Sequence, residues 1–414
     1  MKQAMVVING GSSSIKFTLF ALQSGARLAV LALGAIEKLN SSPHLQAYDH
    51  NGALLTERTW PIPTSHAVLL AALIDWVDAH LAGARLVAAG HRVAHGGMTF
   101  SAPVVITPSV LAGLQALIPL APMHQPHNLA PIEALQASHP GLVQVACFDT
   151  AFHGTNPEIS RLYGLPRALS AEGLRRYGFH GLSYEFIAQA LPAYAAQAPQ
   201  ARVIVAHLGS GASLCAMVGG QSVASTMGFS ALDGVPMGTR CGAIDPGIVL
   251  YLLKEKNLSA DALETLLYQQ CGLLGVSGIS NDVRTLLASA APAAREAIDL
   301  FVYRIVREIG SLAAAAGGLD TLVFTAGVGE HAPEIRASVC EQSAWLGIVL
   351  DPVANAAGGP CISAASSRVA VWVIGTDEDL VIARHTTALL PGADANHDAN
   401  ATAPSIVSTT PRRR

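Results

Sequence analysis

The 414-residue sequence predicts an α/β protein of two similarly built domains. Three observations carry that expectation. Short apolar runs of β character alternate with amphipathic helical stretches, as they do where buried sheets are covered by helices. One strand-and-glycine pattern occurs twice, about 200 residues apart, which is ordinary domain spacing. The chain is also longer than one hydrophobic core serves well.

The first apolar run, residues 5–8, stops at Asn9 and two glycines, so it is too short and too polar at its end for a signal peptide. The most apolar helical stretch, residues 67–89, is interrupted by Asp75, Asp78, His80 and Arg85. No run approaches the about 20 apolar residues that a membrane span needs. Strand-like runs at 86–89 and 143–148 flank a helical segment at 131–138. Further runs at 203–208, 322–326 and 369–374 alternate with helical segments at 184–190 and 294–314. From about residue 391 periodicity gives way to Ala, Asn, Ser, Thr and Pro, ending in three arginines; a disordered tail is expected, with a basic contact site as the alternative.

Composition narrows the function classes. A hydrophobic fraction of 51% with 13% charged residues suits a compact enzyme, and a net charge of −4 gives no reason to expect nucleic acid or an acidic membrane as partner. A cytosolic location is expected. The six cysteines are scattered with no C-x-x-C pair, which argues against a disulfide framework or a zinc site. The pairs His91/His95 and His124/His127 have ligand-like spacing but lack a third ligand, so no transition-metal site is expected.

The repeated pattern is a hairpin with a Gly/Ser tip. Residues 6–17 carry Asn9-Gly10-Gly11-Ser12-Ser13-Ser14-Ile15-Lys16, and residues 204–214 carry His207-Leu208-Gly209-Ser210-Gly211. Such tips bring backbone N–H groups close to phosphates, although most serve only as turns. A third cluster, Thr325-Ala326-Gly327-Val328-Gly329-Glu330, follows an apolar run and precedes a helical one, which favours an anion at a helix start. There is no Gly-Lys dipeptide and hence no Walker A loop, nor an H-E-x-x-H or G-x-S-x-G motif.

Arg92 and Arg240 both sit among glycines, where a planar fork suits bidentate binding of carboxylate or phosphate. Asp149 and Glu378 each follow an apolar run, where α/β folds place ligands. Two carboxylates, phosphate-type loops and only five lysines suggest a divalent cation neutralising phosphate. His180, between Phe179 and Gly181, is either a structural histidine or part of the chemistry.

Together these motifs resemble the acetate and propionate kinase family over residues 1–390. The residues that carry the resemblance are 7–16, Phe148-Asp149-Thr150-Ala151-Phe152-His153, Arg176-Tyr177-Gly178-Phe179-His180-Gly181, Met237-Gly238-Thr239-Arg240 and Phe324-Thr325-Ala326-Gly327. The resemblance implies duplicated ribonuclease H-like domains of the actin/sugar kinase/Hsp70 superfamily around a central cleft. It divides the chain into an N-terminal domain (1–150 plus about 380–392), a nucleotide-binding domain (151–379) and the tail (393–414). A homodimer is implied, with ATP/ADP as substrate and Mg²⁺ or Mn²⁺ as cofactor. The reaction it implies is reversible phosphorylation of a short-chain carboxylate to an acyl phosphate.

Residue by residue, the resemblance makes Asp149, His180, Arg240 and Arg92 catalytic. It puts Asn9, Ser12, Ser14 and Lys16 at the phosphoryl end, with Lys16 also touching nucleotide. His207, Gly209, Ser210, Gly211, Asp282, Val283, Arg284, Gly327, Gly329 and Glu330 are implied at the nucleotide, and Asn9, Asp149 and Glu378 at the metal. Ala94, Met123, Phe179 and Ala231 are implied around the substrate's alkyl group.

The sequence departs from the family pattern in places. Ser210 stands for a usual asparagine, Val283 for an aromatic, Cys241 and Ala243 for serine and aspartate, and Tyr184 for a histidine. Ala94 and Ala231 stand for valine and proline, so less bulk should admit propionate alongside acetate. The chemistry needs no strong base, because a carboxylate is already ionised; it needs alignment and relief of anion repulsion. Two other readings keep the same fold. A nucleotide-gated ATPase would need no arginine clamp for a carboxylate. A sugar kinase would need a general base and a polar hydroxyl pocket.

Overall fold

The computed structural model describes residues 2–23, 27–195 and 200–391; the expected tail at 393–414 lies outside them. The chain divides into two compact units. Unit 1 is Met1–Ala151 with the chain from Asp377 onward, and unit 2 is Phe152–Thr376.

Unit 1 contains β1 (Gln3–Gly10), β2 (Ile15–Leu22), β3 (Leu28–Glu37), β4 (His44–Asp49), β5 (Leu54–Thr59), β6 (Arg85–Val93), β7 (Val104–Val105) and β8 (Val143–Phe148). They form one sheet in the order β5-β4-β3-β2-β1-β6-β8-β7. Strands β1 to β5 run as an antiparallel meander, while β1, β6 and β8 are parallel neighbours. The central strands read as near-continuous apolar runs because both faces are covered. One cover is the helix Gln125–Ser138, which presses so close to β1 that a Cβ on Gly10 would lie 2.5 Å from the His127 carbonyl oxygen. On the opposite face lies the helix Glu378–Ala388, where a Cβ on Gly90 would stand 2.5 Å from Thr386 Oγ1. Both glycines are there for close approach.

Unit 2 contains β9 (Arg202–Leu208), β10 (Ala212–Val218), β11 (Gln221–Ser225), β12 (Thr321–Thr325) and β13 (Ala370–Val373), ordered β11-β10-β9-β12-β13. Here β11, β10 and β9 are antiparallel, and β9, β12 and β13 parallel. That is the order and direction pattern of β3-β2-β1-β6-β8 in unit 1, so the two units are copies of one ribonuclease H-like plan. The long helix Pro292–Ala316 supplies Ile298, Phe301, Val302, Ile305 and Ile309 to the unit 2 core, at the spacing of one helical face.

The structure splits the apolar stretch at 67–89. A helix spans His66–Ala79, and the chain then enters β6 at Arg85. Gly83, at φ +79°, makes the turn that alanine-rich composition concealed. No helix among the described residues is long and apolar enough to cross a membrane.

Candidate active site

In unit 1 the pleat gathers the polar side chains. Side chains alternate faces along a strand, and β1 and β6 pair with Val7 opposite Gly90. Asn9 and Arg92, each two residues further on, therefore share one face, the one that packs on Glu378–Ala388. The β6–β8 register sets Arg92 opposite Cys147, so Asp149, two residues on, continues the same face. All three lie at the carboxyl ends of parallel strands, where such sheets bind ligands.

The contacts follow from that placement. Arg92 Nε and Nη2 donate to the two oxygens of Asp149 at 2.9 and 2.5 Å, and Nη1 donates to Asn9 Oδ1 at 3.3 Å. Glu378 Oε2 is 4.0 Å from Arg92 Nε. Burial opposes the Arg92 charge, but Asp149 and then Glu378 outweigh it, and the guanidinium is held more firmly protonated than usual. One edge of the fork is thus spent on Asp149 and one Nη1 hydrogen on Asn9, and the remaining two N–H groups can meet a substrate anion. Lys16 pairs across the hairpin with Asn9, while Ser12 is exposed at the tip and Ser14 closes it by accepting the Gly11 N–H at 2.8 Å. Ala94 is buried, its N–H donating to Asn128 Oδ1 at 2.8 Å; Met123 is half-buried.

Three oxygen-bearing side chains, Asn9, Asp149 and Glu378, surround the Arg92 guanidinium. A carboxamide and two carboxylates form a hard, all-oxygen donor set of the kind Mg²⁺ takes alongside phosphate and water. A carboxylate oxygen carries two lone pairs, so an arginine partner does not by itself exhaust it. The residues present fit the ion.

Unit 2 gathers the second group. His180 opens the helix Gly181–Tyr194 from a left-handed conformation, φ +57°. The preceding glycine could carry no side chain: Gly178 sits at φ +81°, and a Cβ there would meet the His153 ring at 2.4 Å. His153 Nε2 in turn donates to the Phe179 carbonyl at 2.9 Å, fixing the segment that presents His180. The imidazole of His180 stacks on His207, centroids 4.2 Å apart and planes 18° from parallel.

The β9–β10 hairpin tip sits under this stack. A Cβ on Gly211 would lie 3.4 Å from His180 Nε2 and 3.6 Å from both Nη1 and Nη2 of Arg240, so three nitrogens converge on the space a side chain would fill. Arg240 is aimed there by its own loop: Nη1 donates to the Ala231 carbonyl at 2.9 Å, and Met237 N–H donates to the Arg240 carbonyl at 3.0 Å. Ser210 is exposed, and its carbonyl accepts the Gly238 N–H at 3.3 Å. A Cβ on Gly238 would stand 3.1 Å from the Asn281 carbonyl, and one on Gly209 would stand 3.8 Å from Ala326 Cβ. The segments implied at the nucleotide therefore meet within one unit.

Their local forms differ from expectation in two places. The cluster at 327–330 is not a turn before a helix; it lies inside the short helix Ala326–His331. The buried Arg336 holds that helix by donating to the carbonyls of Gly329 and Glu330 at 3.0 and 2.8 Å. Val283 is only 4% exposed and packs in the unit 2 core, which leaves little of it for a base to stack on. Its neighbour Asp282 caps the helix Val283–Leu287, and Arg284 extends into solvent. Phe179 is likewise in the core, and Ala231 is half-buried against it. Burial, with Cys271 nearby, pushes the Cys241 thiol up to about 11, so it is a poor source of thiolate despite its neighbour Arg240.

Sequence reasoning missed Ser183 and Ser213, and it marked Tyr184 only as a departure from the family pattern. Ser213 pairs across the hairpin with His207, and its Oγ is 2.8 Å from His180 Nδ1; Ser183 Oγ is 2.8 Å from His207 Nδ1. The only available signal was Tyr184 lying four residues after His180, one helical turn away.

Three buried histidines make a testable contribution to stability. Burial lowers His91, His95 and His153 each to about 4. Their rings stay neutral in the fold while the unfolded chain takes up protons below about 6.5. The stability they contribute is thus full above that pH and is lost as pH falls toward 4, by about 1.4 kcal/mol per unit for each group. The urea midpoint should drop steeply between pH 6.5 and 4.5, and His91→Gln should flatten the slope by about one proton. A midpoint constant over that range would contradict the assignment.

The model of the Acetokinase family matches residues 4–384. An acetate kinase of Rhodopseudomonas palustris (strain TIE-1) is 56% identical over 396 residues, covering 95% of this chain and all of the relative. One of Nitrobacter hamburgensis is 49% identical over 389 residues, covering 94% and 96%. Among solved structures, Porphyromonas gingivalis acetate kinase superposes with a TM-score of 0.83 at 36% identity, covering 94% of this chain and 100% of that one. A propionate kinase from Francisella tularensis gives 0.86 at 35% identity with the same coverage.

Proposed function

The chain belongs to the acetokinase family, and from that membership we propose that it transfers the γ-phosphoryl group of ATP to a short-chain carboxylate, reversibly, giving an acyl phosphate and ADP. The observation that carries this reading is the convergence of His180 Nε2 and both Arg240 Nη atoms on the open space at Gly211. Nitrogen groups aimed at one point suit a nucleophile that is already ionised, because such a reaction asks for charge stabilisation and no proton removal.

A carboxylate oxygen forms its bond to the γ-phosphorus as the bond to the β,γ-bridging oxygen breaks, and ADP leaves with that electron pair. No proton has to move. The transferring group spreads negative charge over its equatorial oxygens, and groups already aimed at those oxygens supply most of the acceleration. Arg240 and His180 are proposed to take that role, with the tip at 209–211 against the phosphates. Ser210, Asp282, Val283, Arg284 and the helix with Gly327, Gly329 and Glu330 are proposed around the nucleotide.

The Arg92 N–H groups beyond those given to Asp149 and Asn9 are proposed to hold the substrate carboxylate, with Asp149 keeping the fork in plane. Asn9, Ser12, Ser14 and Lys16 are proposed at the phosphoryl end. Asn9, Asp149 and Glu378 would hold Mg²⁺, or Mn²⁺ in its place. When bound, that ion neutralises phosphate charge. The setting this reading implies is a cytosolic homodimer. Ile248, Leu250 and Tyr251, each about half exposed on the helix Pro246–Lys254, support a surface for a second copy.

Propionate is proposed as a substrate comparable to acetate, because Ala94 and Ala231 take little volume near the alkyl group. A buried CH₂ is worth about 0.8 kcal/mol and rarely discriminates beyond roughly 10–200-fold. The test is hydroxylamine trapping of acyl phosphate with ATP, Mg²⁺ and acids from formate to butyrate. Product with acetate and propionate is expected, and Ala94→Val should lower kcat/KM for propionate several-fold more than for acetate. Equal losses for both acids would remove the pocket argument. ATP turnover that ignores every acid would favour a nucleotide-gated ATPase instead.

A further inference from the structure

Tyr184 follows His180 by one helical turn, and its backbone N–H donates to the His180 carbonyl at 3.1 Å, so the two side chains share a helix face. Both reach Ser213 on β10. His180 Nδ1 lies 2.8 Å from Ser213 Oγ, and Tyr184 OH lies 2.5 Å from the same atom. Tyr184 and Ser213 are fully buried. We propose that Tyr184, acting through Ser213, is a positioning residue that fixes the His180 tautomer with its proton on Nε2, the nitrogen facing Gly211.

Counting hydrogens supports this. Each of the two links needs one hydrogen, and Ser213 has only one to give. When the phenol donates to Ser213, the serine's own hydrogen is left to donate to Nδ1, and a neutral ring that accepts it carries its proton on Nε2. In the opposite polarity Nδ1–H donates to the serine and the serine to the phenol, which leaves Nε2 a bare lone pair. The phenol is the more acidic hydroxyl, and the short 2.5 Å separation suits it as donor.

Among the described residues, titratable or charged groups facing this cluster include the stacked His207, held through Ser183, the Arg240 guanidinium across the tip, and His153, whose ring is 5.7 Å from that of Tyr184. With Nε2 protonated in the neutral ring, His180 donates to a phosphoryl oxygen at any pH that keeps the fold. Without the relay, only the imidazolium assures a proton there. The family pattern places a histidine where Tyr184 stands, and an imidazole N–H can make the same donation to Ser213.

The consequence for catalysis rests on the proposed role of His180; the tautomer itself does not. The test labels histidine imidazoles with ¹⁵N and records long-range ¹H–¹⁵N spectra at pH 8, with the His180 signals identified by their loss in His180→Gln. Wild type should show a protonated Nε2 and a bare Nδ1. Tyr184→Phe should protonate Nδ1 in part of the molecules. It should also lower kcat at pH 8, relative to pH 6, by about fivefold with KM unchanged. Tyr184→His should restore both readings. A protonated Nδ1 in wild type, or a tautomer unmoved by Tyr184→Phe, would overturn the relay. A tautomer that moves while the kcat profile does not would support the relay and count against His180 as the phosphoryl donor.

Discussion

Gly211→Ala is expected to lower kcat by about 10²-fold while leaving the fold and its stability nearly unchanged. The added methyl would meet nothing closer than 3.4 Å, an ordinary van der Waals distance, and Gly211 is not in the left-handed region, so alanine carries no backbone strain there. Its position lies between His180 Nε2 and the two Arg240 nitrogens. A phosphoryl oxygen needs to approach all three to about 2.7–3.1 Å, and a carbon in that space prevents it. The measurements are kcat with ATP and acetate alongside the urea midpoint. A near-normal rate would mean that the transferring group does not pass this tip.

Arg240→Lys is expected to lose nearly as much as Arg240→Ala, each by roughly 10²- to 10³-fold in kcat/KM. The fork divides its work: Nη1 holds the Ala231 carbonyl at 2.9 Å, and both terminal nitrogens face the tip. A lysine ammonium is a single point and cannot span both. Added guanidinium should partly restore the alanine variant and leave the lysine variant unaffected. A lysine variant near wild type would reduce Arg240 to a source of charge without geometry.

The two hairpins were legible because a Gly/Ser tip between apolar runs is a local signal, and the plan of two similar domains followed from their repetition; the order of strands in each sheet did not. The meander β3–β5 gave no such signal. Leu54–Thr59 is an edge strand with mostly exposed side chains, so it lacks the uninterrupted apolar run that marked the central strands. The turn expected at 327–330 proved helical because β12 passes directly into the helix at Ala326.

Within the site, Asn9, Arg92 and Asp149 were each singled out by sequence. Their meeting depends on the registers of β1, β6 and β8, which no local pattern encodes. The same holds for Ser213. It looks like any hairpin serine, and its partner His180 lies 33 residues away. Tyr184 registered only as a departure from the family pattern, and its meaning came from the sheet that brings Ser213 beneath it.

In the proposed transfer, positioning and electrostatics suffice, and the carboxylate oxygen attacks phosphorus directly. The most direct measurement is the stereochemical course at a γ-phosphoryl group made chiral with oxygen isotopes, followed from ATP into acyl phosphate. Direct attack gives inversion. Retention would mean two successive displacements through a phosphorylated side chain, and would contradict it.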